Sequence, residues 1–329
     1  MKTSEMMKAI LYGVAVGDAL GFPVQFQSRS ARKRMPVTGM GTYLKPDGSE
    51  GRFDEDETGL WSDDTSLTLC LAESLLNGFD LKDQAERFVA WLYKSYLSAL
   101  DEAFDVGHTT SVSLAKVKRI LERGDCSLLQ GLGDNMDAFS NGNGSLMRIL
   151  PLLIAAQDLD MDFSFETIWQ ASALTHPHIR AAFACYYYLM FARALTEGTD
   201  KRKAMYIASL QTMAVMEGQV LPQGEKGVFE RLLLGTIDKE EEDDIRSDGY
   251  VISSLEASIW CLLNTESYSE AVLRAVNLGG DTDTTGAITG GLAALLYGFE
   301  SIPQEWIKAL KKPHLFERIL KGYRDRERG

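Results

Sequence analysis

The sequence predicts an all-α fold: a compact, single-domain multi-helix bundle over residues 1–329, with a metal site between helix N-termini. Almost every apolar segment repeats at helical spacing, and no run shows the alternation of a half-buried strand or a strand–helix–strand rhythm. No fixed-period repeat of the solenoid kind is present. Two clumps of side-chain oxygens, Trp61-Ser62-Asp63-Asp64-Thr65 and Gly279-Gly280-Asp281-Thr282-Asp283-Thr284-Thr285, each open an apolar run near opposite ends of the chain. For those two helix starts to meet, the chain must fold back on itself.

Taken in order, Met6 to Val16 reads as a first helix that ends near Gly17-Asp18-Ala19-Leu20-Gly21, where the glycines signal close backbone approach. Arg29 to Arg34 is a basic run, a solvated face or helix end. Gly39 to Leu60, rich in Gly, Asp and Glu, reads as a long surface loop of the kind that often serves as a lid. A helix from about Ser62 to Leu76 follows, then one over Gln84 to Leu97 and a short one over Ser113 to Leu121. Asp101 to Thr110 and Asp134 to Ser145 read as irregular, and Pro151 predicts a kink or break within Leu146 to Ala156. Further helices are expected over Phe165 to Leu174, Ile179 to Leu195, Lys203 to Met216, Ser253 to Leu263 and Tyr268 to Leu278. Acid-rich Asp238 to Asp244 reads as an exposed loop. The run Ala287 to Leu296 is helical and stops at Gly298; Trp306 to Leu310 and Phe316 to Tyr323 complete the chain.

With 45% hydrophobic and 25% charged residues the composition is that of a soluble globular protein. A formal net charge of -13 argues against nucleic acid or an anionic membrane as a general partner. It leaves open an anionic small molecule, because a local cation reverses the sign of a site. Cys70, Cys126, Cys185 and Cys261 are scattered, and read as reduced, mostly buried thiols of a cytoplasmic protein. The N-terminus lacks the pattern of a signal peptide, and no stretch is expected to reach the length that spans a membrane. A monomer is expected.

Each acidic clump has an ordinary explanation in helix capping, for which one side-chain oxygen suffices. Together the clumps supply Asp63, Asp64, Asp281 and Asp283 with several hydroxyls, which is the ligand chemistry of hard cations such as Mg²⁺ or Mn²⁺. A helix N-terminus repels a cation, so several carboxylates are needed to outweigh it. The absence of His, Cys and Met from the set disfavours zinc. Asp18, between glycines in an apolar segment, is expected to be buried and to orient a metal ligand.

Gly17-Asp18-Ala19-Leu20-Gly21, Trp61-Ser62-Asp63-Asp64-Thr65, Asn141-Gly142-Asn143-Gly144-Ser145-Leu146-Met147-Arg148 and Gly279-Gly280-Asp281-Thr282-Asp283-Thr284 occur in that order. In this the chain resembles the ADP-ribosylglycohydrolase family across nearly its whole length. The resemblance implies an all-α fold, two Mg²⁺ or Mn²⁺ ions, and hydrolysis of the bond from C1″ of ADP-ribose to an acceptor. Matched motif to motif, it implies Ser62, Asp63, Asp64, Asp281, Asp283 and Thr284 as metal ligands; many relatives carry Thr in place of Ser62. The loop Asn141, Gly142, Asn143, Gly144 and Ser145, an ordinary turn by itself, would hold the diphosphate through backbone N–H groups and Ser145. His176 rather than His178 would lie by the ADP-ribose, and Asp105 at the site mouth. The implied partner is ADP-ribose, on a protein or on a small molecule.

One departure stands out. After Gly17-Asp18-Ala19-Leu20-Gly21 the family usually carries a Glu with a direct role in hydrolysis, and this chain reads Phe22-Pro23-Val24-Gln25. An amide cannot serve as a general base. Either the protein is slow, or another carboxylate such as Asp105 supplies the base, or none is needed. Gln25→Glu is expected to raise ADP-ribosyl-arginine hydrolysis by at least roughly tenfold. The mechanism expected is a two-metal site that binds the ribose 2″ and 3″ hydroxyls and presents water to C1″. Two other classes remain open: a non-catalytic ADP-ribose-binding or structural member of the family, and a two-metal phosphoester hydrolase acting on a nucleotide.

Overall fold

The computed structural model describes residues 2–134, 139–154 and 164–328. In chain order its helices are α1 (Thr3–Gly21), α2 (Arg29–Arg34), α3 (Asp63–Ser74), α4 (Leu81–Lys94), α5 (His108–Arg123), α6 (Phe165–Ala173), α7 (Ile179–Thr196), α8 (Lys201–Glu217), α9 (Glu230–Leu233), α10 (Val251–Leu263), α11 (Tyr268–Asn277), α12 (Thr282–Tyr297), α13 (Gln304–Ala309) and α14 (Pro313–Arg326). The all-α reading holds. Pro151 sits in a turn that separates the apolar residues before it from a helical stretch starting at Leu152, and Ala156 lies outside the described residues.

At the centre α1 crosses α12. The first helix ends within the expected stretch Gly17-Asp18-Ala19-Leu20-Gly21, with α1 running to Gly21. Its glycines mark a helix crossing. A Cβ on Gly17 would lie 2.0 Å from the Gly286 carbonyl oxygen, and one on Gly13 would lie 2.5 Å from that of Gly290. Gly13, Gly17 and Gly21 recur every four residues and so share one face. Gly286 and Gly290 give α12 the matching face. Tyr268 donates to the Gly13 carbonyl (3.0 Å) and Thr282 Oγ1 to that of Gly21 (2.8 Å). Each glycine costs about 1 kcal/mol of helix propensity, which the dense backbone contact offsets. The crossing brings Asp18, one residue past Gly17, to the start of α12.

Gly17→Ala should therefore lower stability by at least about 1–3 kcal/mol, the range for overpacking a well-packed interior. Thermal melting followed by circular dichroism reads this directly, and an unchanged midpoint would contradict so close a crossing.

Around this pair, α10 is buried along its whole length and α12 from Thr282 to Leu295. Helices α4, α5, α11 and α14 bury one face only, as expected of outer helices. Contrary to expectation, one segment, Thr3–Val24, is long and apolar enough to cross a membrane. Its apolar stretch is 83% buried within the fold, mainly against α12 and α3, which is the behaviour of a core helix.

The expected structureless loop from Gly39 to Leu60 is also corrected. It carries most of a small antiparallel sheet, β1 (Val37–Gly39), β2 (Thr42–Leu44) and β3 (Glu50–Arg52), in the order β1-β2-β3. Three-residue strands are too short to show an alternating pattern, and the Gly41 and Gly48 turns between them read from sequence as loop. The acidic stretch Asp238 to Asp244 forms two 3₁₀ turns, Ile237–Lys239 and Glu242–Asp244, and Asp238 pairs with Arg202.

Candidate metal centre and substrate cavity

The starts of α3 and α12 meet beside α1. At α3, Ser62 is the N-cap and its Oγ accepts from the Asp64 N–H at 3.3 Å. The rest of the capping comes from another helix. Asp18 accepts the N–H of Ser62 (3.0 and 2.9 Å), the N–H of Thr65 (3.1 Å) and Thr65 Oγ1 (2.5 Å). At α12 the N-cap is Asp281, yet its side chain makes no cap hydrogen bond. Asn143 Nδ2 instead donates to Asp281 Oδ2 (2.7 Å) and to Ser254 Oγ (2.8 Å). Gly280, at φ 76°, turns the chain into α12, and a Cβ there would lie 2.3 Å from the Ser247 carbonyl oxygen. Capping alone thus fails to account for the acids at this helix start.

Asp18, Asp64 and Asp283 bring carboxylate oxygens within 4.8 Å of one another, all buried. Among the described residues, Asp64 Oδ1 and both carboxylate oxygens of Asp283 have no hydrogen-bond partner. Ser62 Oγ (3.1 Å) and Thr284 Oγ1 (3.4 Å) converge on Asp64 Oδ2. Burial, followed by repulsion from Asp105, Asp18 and Asp281, holds the Asp63 carboxyl well above its ordinary range. Burial and then Asp18 and Asp63 do the same to Asp64, and burial and then Asp281 and Asp64 to Asp283. Burial also pushes Asp18 up to about 7, against the hydrogen bonds from Thr65 and Ser62. Buried carboxylates without partners are costly, and an oxygen-only donor set with flanking hydroxyls suits a hard divalent cation. The residues fit the metal, and a cation among them would reverse these shifts.

Asp18 was expected to orient a ligand. Its oxygens belong to the same cluster; Oδ2 accepts three of the α3 contacts and Oδ1 one. The sequence signal was the carboxylate between glycines in an apolar helix.

In front of these residues opens a cavity of about 490 Å³, lined in part by Gln25, Asp63, Asp105, Asp281, Asp283 and Thr284. Gly142, Asn143, Gly144 and His176 also line it. Ser62 and Asp64 are fully buried behind that surface. Asn141 is not on the cavity wall; its carbonyl accepts from the Val251 N–H (3.1 Å) and anchors the loop. Ser145 departs from expectation. Its hydroxyl turns into the core, where it accepts from Ser172 Oγ (2.8 Å) and contacts Cys185 Sγ (3.6 Å), so it is not presented to a phosphate. The Asn143 N–H is likewise used, by the Gly249 carbonyl (3.1 Å).

His176 packs on the glycine loop: a Cβ on Gly144 would sit 2.6 Å from its Cε1. Burial, and secondarily Arg148, push its pKa down to about 3, so it presents a neutral ring. His178 instead caps α7, accepting the Arg180 N–H at 3.0 Å. Asp105 has left-handed backbone (φ 54°) and accepts a hydrogen bond from Gln25 Nε2 at 3.0 Å. Sequence reasoning missed Phe26, Thr109, Thr110, Met147 and Gly249 as lining residues. Thr109 and Thr110 could have been found from their nearness to Asp105, and Phe26 from Gln25; Gly249 carried no signal. No residue of the stretch 39–60 lines the cavity.

The chain matches the ADP-ribosylglycohydrolase family over residues 2–328. An ADP-ribosylarginine hydrolase Tri1 of Serratia proteamaculans is 30% identical over 92% of this chain and 74% of the relative. An ADP-ribosyl-[dinitrogen reductase] glycohydrolase of Rhodospirillum rubrum is 27% identical over 91% of this chain and 87% of the relative. Among solved structures, an ADP-ribosylglycohydrolase-related protein complex superposes with a TM-score of 0.72 at 29% identity, covering 98% of both chains.

Proposed function

The chain belongs to the ADP-ribosylglycohydrolase family, and from that premise we propose that it hydrolyses the C1″ glycosidic bond of ADP-ribose conjugates, with divalent metal, to release intact ADP-ribose. The observation that carries this is the trio of unpartnered buried carboxylate oxygens on Asp64 and Asp283, set behind a cavity of ligand size. Ser62, Asp63, Asp64, Asp281, Asp283 and Thr284 would hold two Mg²⁺ or Mn²⁺ ions, with Asp18 fixing the start of α3. The ions supply positive charge that orients sugar hydroxyls and activates water. His176 and the loop Gly142 to Gly144 would seat the ADP-ribose.

Departure of the acceptor leaves an oxocarbenium-like sugar, and of the acids lining the cavity Asp105 is the one outside the proposed metal ligands that could face its charge. Asp105 would accept the proton of the attacking water and pass it to the departing acceptor, so that the C1″–OH bond forms, the C1″–acceptor bond breaks and no net proton is lost. Gln25 supports this assignment: by donating to Asp105 Oδ2 it leaves the other oxygen free as an acceptor. The acceptor most favoured is arginine, from the name of the Serratia relative.

The test is chromatography of the products formed from ADP-ribosyl-arginine and from an O-linked conjugate. Intact ADP-ribose is expected from the arginine conjugate. AMP or phosphate would point to a phosphoester hydrolase, and binding without turnover to a non-catalytic member.

A further inference from the structure

Phe26 is a large apolar side chain that the fold leaves 75% exposed on the wall of the cavity. Its backbone is left-handed, at φ 61°, a conformation that side chains other than glycine, asparagine and aspartate seldom take. Two hydrogen bonds hold it there: Phe26 N–H to the Gly280 carbonyl (2.7 Å) and Gly280 N–H to the Gln27 carbonyl (2.8 Å). Phe26 is thereby tied to the turn that opens α12 and its metal-site acids. Asp105, with the same left-handed backbone, is tied to this segment in turn. Gln25 donates to its carboxylate, and Phe22 meets Phe104 edge-to-face at 5.7 Å. Nothing in the packing of the core requires an aromatic ring in this exposed position.

We infer that Phe26 is a specificity residue for the acceptor, its ring face and the Asp105 carboxylate together receiving a guanidinium at C1″. This rests on the glycohydrolase reading above and names the acceptor class. A planar cation is stabilised both by an aromatic face and by a carboxylate. A neutral hydroxyl-linked acceptor gains little from the ring. The acidic stretch Asp54 to Glu57 lies off the cavity and offers a guanidinium no contact there.

The experiment uses the full chain with Mg²⁺ or Mn²⁺ and compares arginine-linked with serine-linked ADP-ribose. Phe26→Leu should lower kcat/KM on the arginine conjugate by about tenfold, within the range of a cation–π contact, mostly through KM. Serine-linked cleavage should be unchanged, and inhibition by agmatine should weaken in parallel. Phe26→Trp should retain arginine-linked activity. The melting temperature of both variants should match wild type, because the ring is exposed. Equal losses on both conjugates, or no loss on either, would overturn the inference alone. Absence of ADP-ribose release by wild type from either conjugate would overturn the glycohydrolase reading, and this inference with it.

Discussion

Asp283→Ala is expected to abolish release of ADP-ribose, lowering it by at least about a thousandfold, the upper end of the loss for a single electrostatic group. Both oxygens of Asp283 are buried without a partner, and a bound cation would offset the cost of keeping that carboxylate ionised. The same substitution should act on stability with opposite signs in two conditions. In EDTA it removes one of several buried carboxylates that repel one another, and the variant should melt above wild type. In saturating Mg²⁺ or Mn²⁺ the order should reverse, because wild type gains metal-linked stability that the variant has lost. Asp63→Ala, from the other end of the chain, should also lose turnover and weaken metal binding. Wild-type stoichiometry for both variants in calorimetric metal titrations would show that the two helix starts do not share a site.

Asp105→Asn should lower turnover by about a hundred- to ten-thousandfold, the span of a general base, with metal affinity retained. Asparagine tolerates left-handed backbone as well as aspartate does, so the φ of 54° adds no strain to the variant. A loss below tenfold would remove Asp105 from the chemistry. The Gln25 hydrogen bond also revises what Gln25→Glu should do. A carboxylate there would face Asp105 across 3.0 Å in place of a donor, and Asp105 already offers the carboxylate that the family motif would put at position 25. The gain should therefore fall short of the tenfold expected from sequence. A full tenfold gain would show that the missing carboxylate limits this protein and that Asp105 does not replace it.

The parts of this site legible in the sequence were those whose chemistry is local. Asp281 to Thr284 and Ser62 to Asp64 each concentrate oxygens at a helix start, and periodicity places the helices behind them. Asp18 was legible because a carboxylate in an apolar helix must find partners. What stayed hidden depends on long-range geometry. Gly17 signals a close backbone approach, but only the fold shows its partner to be Gly286 on α12. Ser145 and Asn143 lie in one loop and read alike; its fold turns one hydroxyl into the core and lends one amide to Asp281. Three-residue strands fall below the length at which alternation can be seen, so β1 to β3 passed as loop. For Phe26 the sequence offers only its adjacency to Gln25, since its exposure and its left-handed backbone are properties of the folded turn.

Chelation tests the central claim most directly. Purified protein stripped with EDTA should release no ADP-ribose from ADP-ribosyl-arginine, and added Mg²⁺ or Mn²⁺ should restore release of the intact nucleotide together with a higher melting temperature. Full activity in EDTA would contradict a metal held by Asp64 and Asp283.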